Sequence, residues 1–265
     1  MRAMILAAGR GERMRPLTDS CPKPLLPAGG QPLIVWHLRR LAQAGIRDVI
    51  INHAWLGARI EAALGDGSAW GVRLRYSPES PALETAAGIA RALPFFCGEP
   101  FLVVNGDVWC DWNPAHALAW ARHWPARQQA HLLLVDNPAH HPVGDFLLHP
   151  DGRLSADIPR PETATAAPRS EADADAATAW NHATPTDAAP RGSLALTFAG
   201  IGLYRPALFE HVDAAQPAPL APLLRAAMRQ GAVGGTHHHG RWVDVGTPAR
   251  LAALDAALRD QPPGC

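Results

Sequence analysis

Net charge is the first thing this chain lacks. Its 24 Lys and Arg residues against 24 Asp and Glu give a formal charge of zero, so no global field draws it to nucleic acid or to an anionic membrane. Long apolar runs are missing as well. No stretch approaches the roughly 20 residues of a membrane-spanning helix, and the opening strand carries no signal-peptide pattern. The expectation is a cytoplasmic location, with neither nucleic acid nor membrane as a partner and no obligate protein partner implied. Cysteine is scarce: Cys21, Cys97, Cys110 and Cys265 show neither paired metal spacing nor a secreted disulfide framework, which fits reduced thiols. The early glycine-containing loop lacks the Gly-Lys-Ser/Thr of a Walker motif, and it lacks the third glycine and acidic partner of a dinucleotide fold.

What that loop does contain is informative. An apolar strand, Met4-Ile5-Leu6-Ala7-Ala8, runs into Gly9-Arg10-Gly11-Glu12-Arg13-Met14-Arg15-Pro16-Leu17-Thr18, and Pro22-Lys23-Pro24-Leu25 follows. Glycines at 9 and 11 let backbone N–H groups approach an anion, while Arg13, Arg15 and Lys23 add positive charge beside it. A nucleoside triphosphate is the natural ligand.

At 265 residues the chain is long enough to bury most of its apolar surface around one preformed site. Strand and helix signals alternate through its first half. Ile34, Leu38 and Leu41 predict a helix; Asp48 to Asn52 a strand; Leu56, Ile60 and Leu64 a helix; Val72 to Tyr76 a strand; Glu84 to Leu93 a helix; and Phe101 to Val104 a buried strand. Such alternation implies a parallel sheet with helices on both faces, where ligands sit beyond the carboxyl ends of strands. Later come strand runs at His131 to Val135 and Leu194 to Phe198. Two closing helices follow, one on Leu220, Leu224 and Met228, the other opening with Thr247 as N-cap and Pro248 as first residue. The Ala-, Pro- and Thr-rich stretch of about 159–193 reads as a mobile surface insertion, with a lid over a sugar site as the alternative.

Two acidic residues stand at the ends of apolar strands. In Asn105-Gly106-Asp107 and in Arg241-Trp242-Val243-Asp244-Val245-Gly246-Thr247, a carboxylate follows or interrupts a buried run. Each alone is compatible with a turn or a helix N-terminus. With an anion loop they fit a site where Asp107 and Asp244 share one Mg²⁺ against phosphate oxygens. The run His237-His238-His239 invites a metal reading too. Consecutive strand residues point to opposite faces, so all three cannot meet one ion, and a strand or loop run is favoured.

The signature from Leu6 to Thr18 followed by Pro22-Lys23-Pro24 resembles that of sugar-phosphate nucleotidylyltransferases. The softer runs Ile51 to Gly57, Tyr76 to Glu79, Leu83-Glu84-Thr85, Val104 to Trp109, Leu134 to Pro138, Gly144-Asp145-Phe146, Leu196 to Ile201 and Trp242 to Thr247 resemble the branch that uridylylates N-acetylmuramate α-1-phosphate in peptidoglycan recycling. That resemblance implies a Rossmann-like, GT-A-like α/β fold with a mixed, mainly parallel sheet flanked by helices on both faces. It implies one domain over residues 1–265, with a nucleotide-binding half over 1–112 and a sugar-phosphate-binding half over 113–265. It also implies that Ala8, Gly9, Gly11, Glu12, Arg13 and Lys23 cradle UTP, with Glu79 and the segment Glu84 to Gly88 facing the base. Asn105, Gly144, Asp145 and Asp244 would contact the sugar phosphate, and Asp107 and Asp244 would hold Mg²⁺. Lys23, Arg13 and Asp107 carry the catalytic expectation. Thr85-Ala86-Ala87-Gly88 departs from the glycine-rich form expected there. Guanylyl transfer to mannose 1-phosphate, uridylyl or thymidylyl transfer to another hexose 1-phosphate, and a non-catalytic nucleotide-sugar sensor remain the alternative readings.

Overall fold

The computed structural model describes residues 1–158 and 192–260, so the insertion expected at about 159–193 lies almost wholly outside the described residues. The elements follow in chain order: β1 (Arg2–Ala7), α1 (Leu17–Ser20), β2 (Pro27–Ala28), β3 (Gln31–Pro32), α2 (Leu33–Gln43), β4 (Asp48–His53), α3 (Gly57–Leu64), β5 (Arg73–Pro78), α4 (Glu84–Phe96), β6 (Phe101–Asn105), β7 (Val108–Cys110), α5 (Ala115–Arg122), β8 (Ala130–Val135), β9 (Phe146–Leu148), β10 (Leu154–Ser155), β11 (Leu194–Tyr204), α6 (Leu220–Arg229), β12 (Val233–His237), β13 (Trp242–Asp244) and α7 (Pro248–Arg259).

The main sheet runs β12-β8-β11-β6-β1-β4-β5, with β9 and β10 attached along the first part of β11. Pairings β1 with β4, β1 with β6, β4 with β5, and β8 with β12 are parallel, whereas β11 runs antiparallel to both β6 and β8. The sheet is therefore mixed and mainly parallel.

Period-two alternation of apolar residues assigns the two faces. Met4, Ile50, Val103, Leu132 and Leu134 pack with α4 and α6. Their neighbours Ala3, Ile5, Val49, Ile51, Leu102, Val104 and Leu133 pack with α2, α3 and α5 on the opposite face. Stretches such as Phe101-Leu102-Val103-Val104 are apolar throughout because both faces are covered.

A third, smaller core locks the C-terminal helix onto the early loop. Leu251, Leu254 and Leu258 of α7 meet Met14, Leu26, Ala28 and Leu33. Helix α5 has no counterpart in the sequence-based expectations, since it buries only Ala117 among its own residues and so shows little apolar periodicity. The α4 helix runs on through Pro94 to Phe96, beyond the expected stop at Leu93.

Candidate active site

The carboxyl ends of β1, β4 and β6 open onto a cavity of about 440 Å³ lined by Ala8, Gly9, Gly11, Glu12, Arg13, Lys23, Asn52, Glu84, Thr85, Asn105, Asp107 and Gly246, among others. The signature loop and the Asn-Gly-Asp turn thus meet at one place. Gly106 explains how closely. Its N–H donates to the Leu6 carbonyl at 2.8 Å, and a Cβ there would lie 2.7 Å from that same oxygen, so only glycine lets β6 turn back against β1 and carry Asp107 into the cavity wall.

Lys23 is buried, with its Nζ 2.8 Å from Asp107 Oδ2. A buried ammonium needs such a partner. The two other arginines of the loop are held by acids: Arg10 pairs with Glu12 at 3.0 Å and stacks over the Trp55 ring, and Arg15 pairs with Asp19 at 2.7 Å. Arg13 is exposed at the cavity wall.

Asp244 arrives from the other end of the chain. The two-stranded ribbon of β7 and β13 sets Asp244 opposite Val108, and the Val245 N–H donates to the Asp107 carbonyl at 3.0 Å. The two strand-end aspartates, 137 positions apart in sequence (244 − 107), thereby become neighbours along one ribbon. Asp244 does not itself line the cavity, but Gly246 does, and a Cβ on Gly246 would sit 3.1 Å from the Asp244 carboxylate. Each aspartate carries its own cation. Asp244 Oδ2 accepts from Arg250 on the first turn of α7 at 2.7 Å, with His140 Nε2 at 3.5 Å.

Glu79 and Gly88, expected to face the base, do not line the cavity. Glu79 is buried, with Oε1 accepting from Asn52 Nδ2 at 2.7 Å and Oε2 from the Leu83 N–H at 2.9 Å. Asn52 in turn accepts from the Ala7 N–H at 3.0 Å. Gly88 makes room for this chain of bonds, since a Cβ there would lie 2.7 Å from Glu79 Oε1 and 2.9 Å from Asn52 Nδ2. The surface offered at that end of the cavity belongs to Asn52, Glu84 and Thr85, with Glu84 held at a positive φ of 60°. Gly144 and Asp145 also stand away from the cavity lining. The Asp145 carboxylate accepts from the Phe198 N–H at 2.8 Å and faces His141 Nε2 at 3.1 Å, tying the start of β9 to β11.

Sequence reasoning gave no role to Asn52, Arg250 or His140. A buried asparagine closing the apolar strand Asp48-Val49-Ile50-Ile51 was the available signal for the first. The other two are ordinary in sequence and acquire meaning only beside Asp244.

Behind the site, His37 is fully buried with Nε2 donating to the Val108 carbonyl at 2.7 Å, and burial pushes its pKa down to about 4. It stays neutral and braces the strand that follows Asp107. Among the described residues, no histidine lines the cavity.

A glycine loop, a buried lysine and two strand-end carboxylates thus stand together at the ends of a mixed α/β sheet. The chain belongs to the nucleotidyl transferase family, whose model matches residues 2–261. It is 51% identical over 257 residues to the N-acetylmuramate alpha-1-phosphate uridylyltransferase of Neisseria meningitidis, covering 97% of both chains. The protein of the same description from Caulobacter vibrioides is 30% identical over 266 residues, again with 97% of each chain covered. Among solved structures, a Bacillus anthracis protein in complex with a sucrose superimposes with a TM-score of 0.75 at 22% identity, over 100% of this chain and 98% of that one; it supports the fold.

Proposed function

We propose that this nucleotidyltransferase moves a uridylyl group from UTP to N-acetylmuramate α-1-phosphate, giving UDP-N-acetylmuramate and pyrophosphate, as a cytoplasmic step of peptidoglycan recycling. The observation that carries the choice of substrates is the full-length likeness to the Neisseria uridylyltransferase.

In this reading the backbone of Ala8 to Gly11, with Glu12 and Arg13, receives the triphosphate, and Lys23 reaches the α-phosphate. The base lies toward Asn52, Glu84 and Thr85, with Glu79 and Gly88 as the support that fixes Asn52. The sugar phosphate approaches from Asn105 and Asp244, with Gly144 and Asp145 shaping the same side. The donor set at Asp107 and Asp244 suits a hard divalent cation: two carboxylates on neighbouring strand ends that are joined by the Val245 N–H to Asp107 carbonyl bond, one paired with Lys23 and the other with Arg250. Mg²⁺ bound there supplies charge neutralisation between two polyanions.

The chain need not provide a general base. A phosphate monoester has a second pKa of about 6, so its oxygen is already anionic at neutral pH, which agrees with a cavity wall that carries no histidine among the described residues. What Lys23 and Arg13 do is stabilise charge that grows as the nucleophile closes on the α-phosphorus and pyrophosphate leaves in line.

The test is pyrophosphate release from a matrix of nucleoside triphosphates and sugar 1-phosphates with Mg²⁺. UTP with N-acetylmuramate 1-phosphate should give the highest kcat/KM. GTP with mannose 1-phosphate, or UTP or dTTP with another hexose 1-phosphate, giving the highest value would move the protein to a sibling specificity. Turnover with none of the pairs would favour a non-catalytic sensor.

A further inference from the structure

The histidine run resolves into two unlike arrangements. Strand β12 pairs in parallel with β8, His237 opposite Leu134, and the His238 N–H continues that ladder by donating to the Leu134 carbonyl at 2.7 Å. Alternation then sends His238 to one side and His237 with His239 to the other. On its side, His238 Nε2 meets Asp111 Oδ1 at 2.7 Å, and Asp111 Oδ2 accepts from the Arg241 N–H at 2.9 Å. This anchor holds the backbone between its two neighbours.

On the opposite side the rings of His237 and His239 lie 3.9 Å apart between centroids and are tilted by 50°. Asp136, just past the end of β8, has Oδ1 2.9 Å from His237 Nε2. One ligand atom from each of the three residues falls within 4.8 Å of the others. His237 is mostly buried, whereas Asp136 and His239 are exposed, so the cluster is held from below and open from above.

We propose that Asp136, His237 and His239 form a binding site for a borderline first-row divalent ion of the zinc type, separate from the carboxylate pair of the transfer site. Two imidazole nitrogens and one carboxylate oxygen are the donors such ions prefer, and nitrogen donors disfavour Mg²⁺. Three protein ligands with an open side leave the remaining positions to water. The backbone is set by the β8 and β12 ladder and by His238, so the ligands need little rearrangement. The neighbouring group of Cys110, Asp111 and His238 is a poorer competitor. Both Asp111 oxygens already accept hydrogen bonds, and burial pushes the Cys110 thiol up to about 11, away from the thiolate a metal needs.

A bound ion would join the end of β8 to the end of β12 and so fix the start of the segment that carries His140 and Asp145. The experiment is a calorimetric titration of untagged, chelator-treated full-length protein with ZnCl₂ in excess Mg²⁺, repeated with Co²⁺ for its ligand-field spectrum. One equivalent should bind, with the Co²⁺ bands showing nitrogen ligation and the melting temperature rising. His239→Ala and Asp136→Asn change exposed side chains and should keep the fold, checked by circular dichroism. Each should weaken binding by more than the roughly 10-fold that begins the range for losing even an outer-sphere partner. No binding, binding unchanged in both variants, or binding abolished instead by Asp107→Asn would overturn the proposal.

Discussion

Lys23–Asp107 and Arg250–Asp244 are the same device built in two ways. In the first, residues 84 positions apart meet where the short helical turn at Lys23–Leu25 faces the turn after β6; the ammonium is buried and the Asp107 carboxylate is 43% exposed. In the second, the partners are six apart across one helix start, and both side chains are about a quarter exposed. The difference separates a pair whose cation is buried in the cavity wall from one whose two partners are equally shielded beside it. The buried cation stands in the short turn that follows the signature loop, and the second pair joins the start of α7 to the ribbon of β7 and β13.

The contrast is broken most directly at Lys23. Lys23→Ala removes a positioned cation where charge develops, and kcat/KM for pyrophosphate release should fall by ~10²–10³. Arg250→Ala, beside the cavity, should cost less than Lys23→Ala; the reverse order would place the decisive charge on the acceptor side.

The second prediction concerns pH. His37 and His131 are both pushed down to about 4 by burial, against an unfolded value near 6.5. The unfolded chain therefore binds more protons between these values. Stability contributed by the neutral rings is complete above about pH 6.5 and is lost on acidification toward 4, by about 1.4 kcal/mol per unit and per histidine. Denaturant midpoints across that window should decline, and His37→Gln should flatten the slope. An unchanged slope in His37→Gln would mean that burial does not hold this ring neutral in the folded protein.

Much of the cavity wall was legible in the sequence because it is local. Leu6 to Lys23 and Asn105 to Asp107 sit in short runs whose composition has few uses besides an anion loop and a strand-end carboxylate. The sheet was legible for the same reason, as apolar runs alternate with helical periods. The bonds that hold the site were not. Asn52, Glu79 and Gly88 meet only because β4, β5 and α4 converge, and a glycine within a helix carries no sign of the carboxylate it accommodates. Arg250 is one of many surface-type arginines until β13 places Asp244 beside it. The single histidine run likewise divides into two clusters through a strand register that the sequence alone did not supply.

Two smaller effects sharpen the comparison between the buried contacts behind the cavity and those at the start of α7. Gly88→Ala pushes a methyl group into the buried Asn52–Glu79 pair and should cost about 1–3 kcal/mol, read by urea unfolding. Thr247→Ala removes the hydroxyl that accepts from the Arg250 N–H at 3.3 Å and should cost only about 1 kcal/mol. A larger loss for Thr247→Ala than for Gly88→Ala would mean that the space at Gly88 is less closely filled than the Glu79 and Asn52 contacts indicate.

In the proposed reaction Asp107 and Asp244, one from each region, serve a single dication in a single transfer step. Mg²⁺-dependent turnover of Asp107→Asn, Asp244→Asn and the double variant tests it in one cycle. Groups that act as a unit are non-additive, so either single substitution should remove most of the activity and the double variant should lose little more. Near-native turnover in either single variant, or losses that simply multiply in the double, would contradict it.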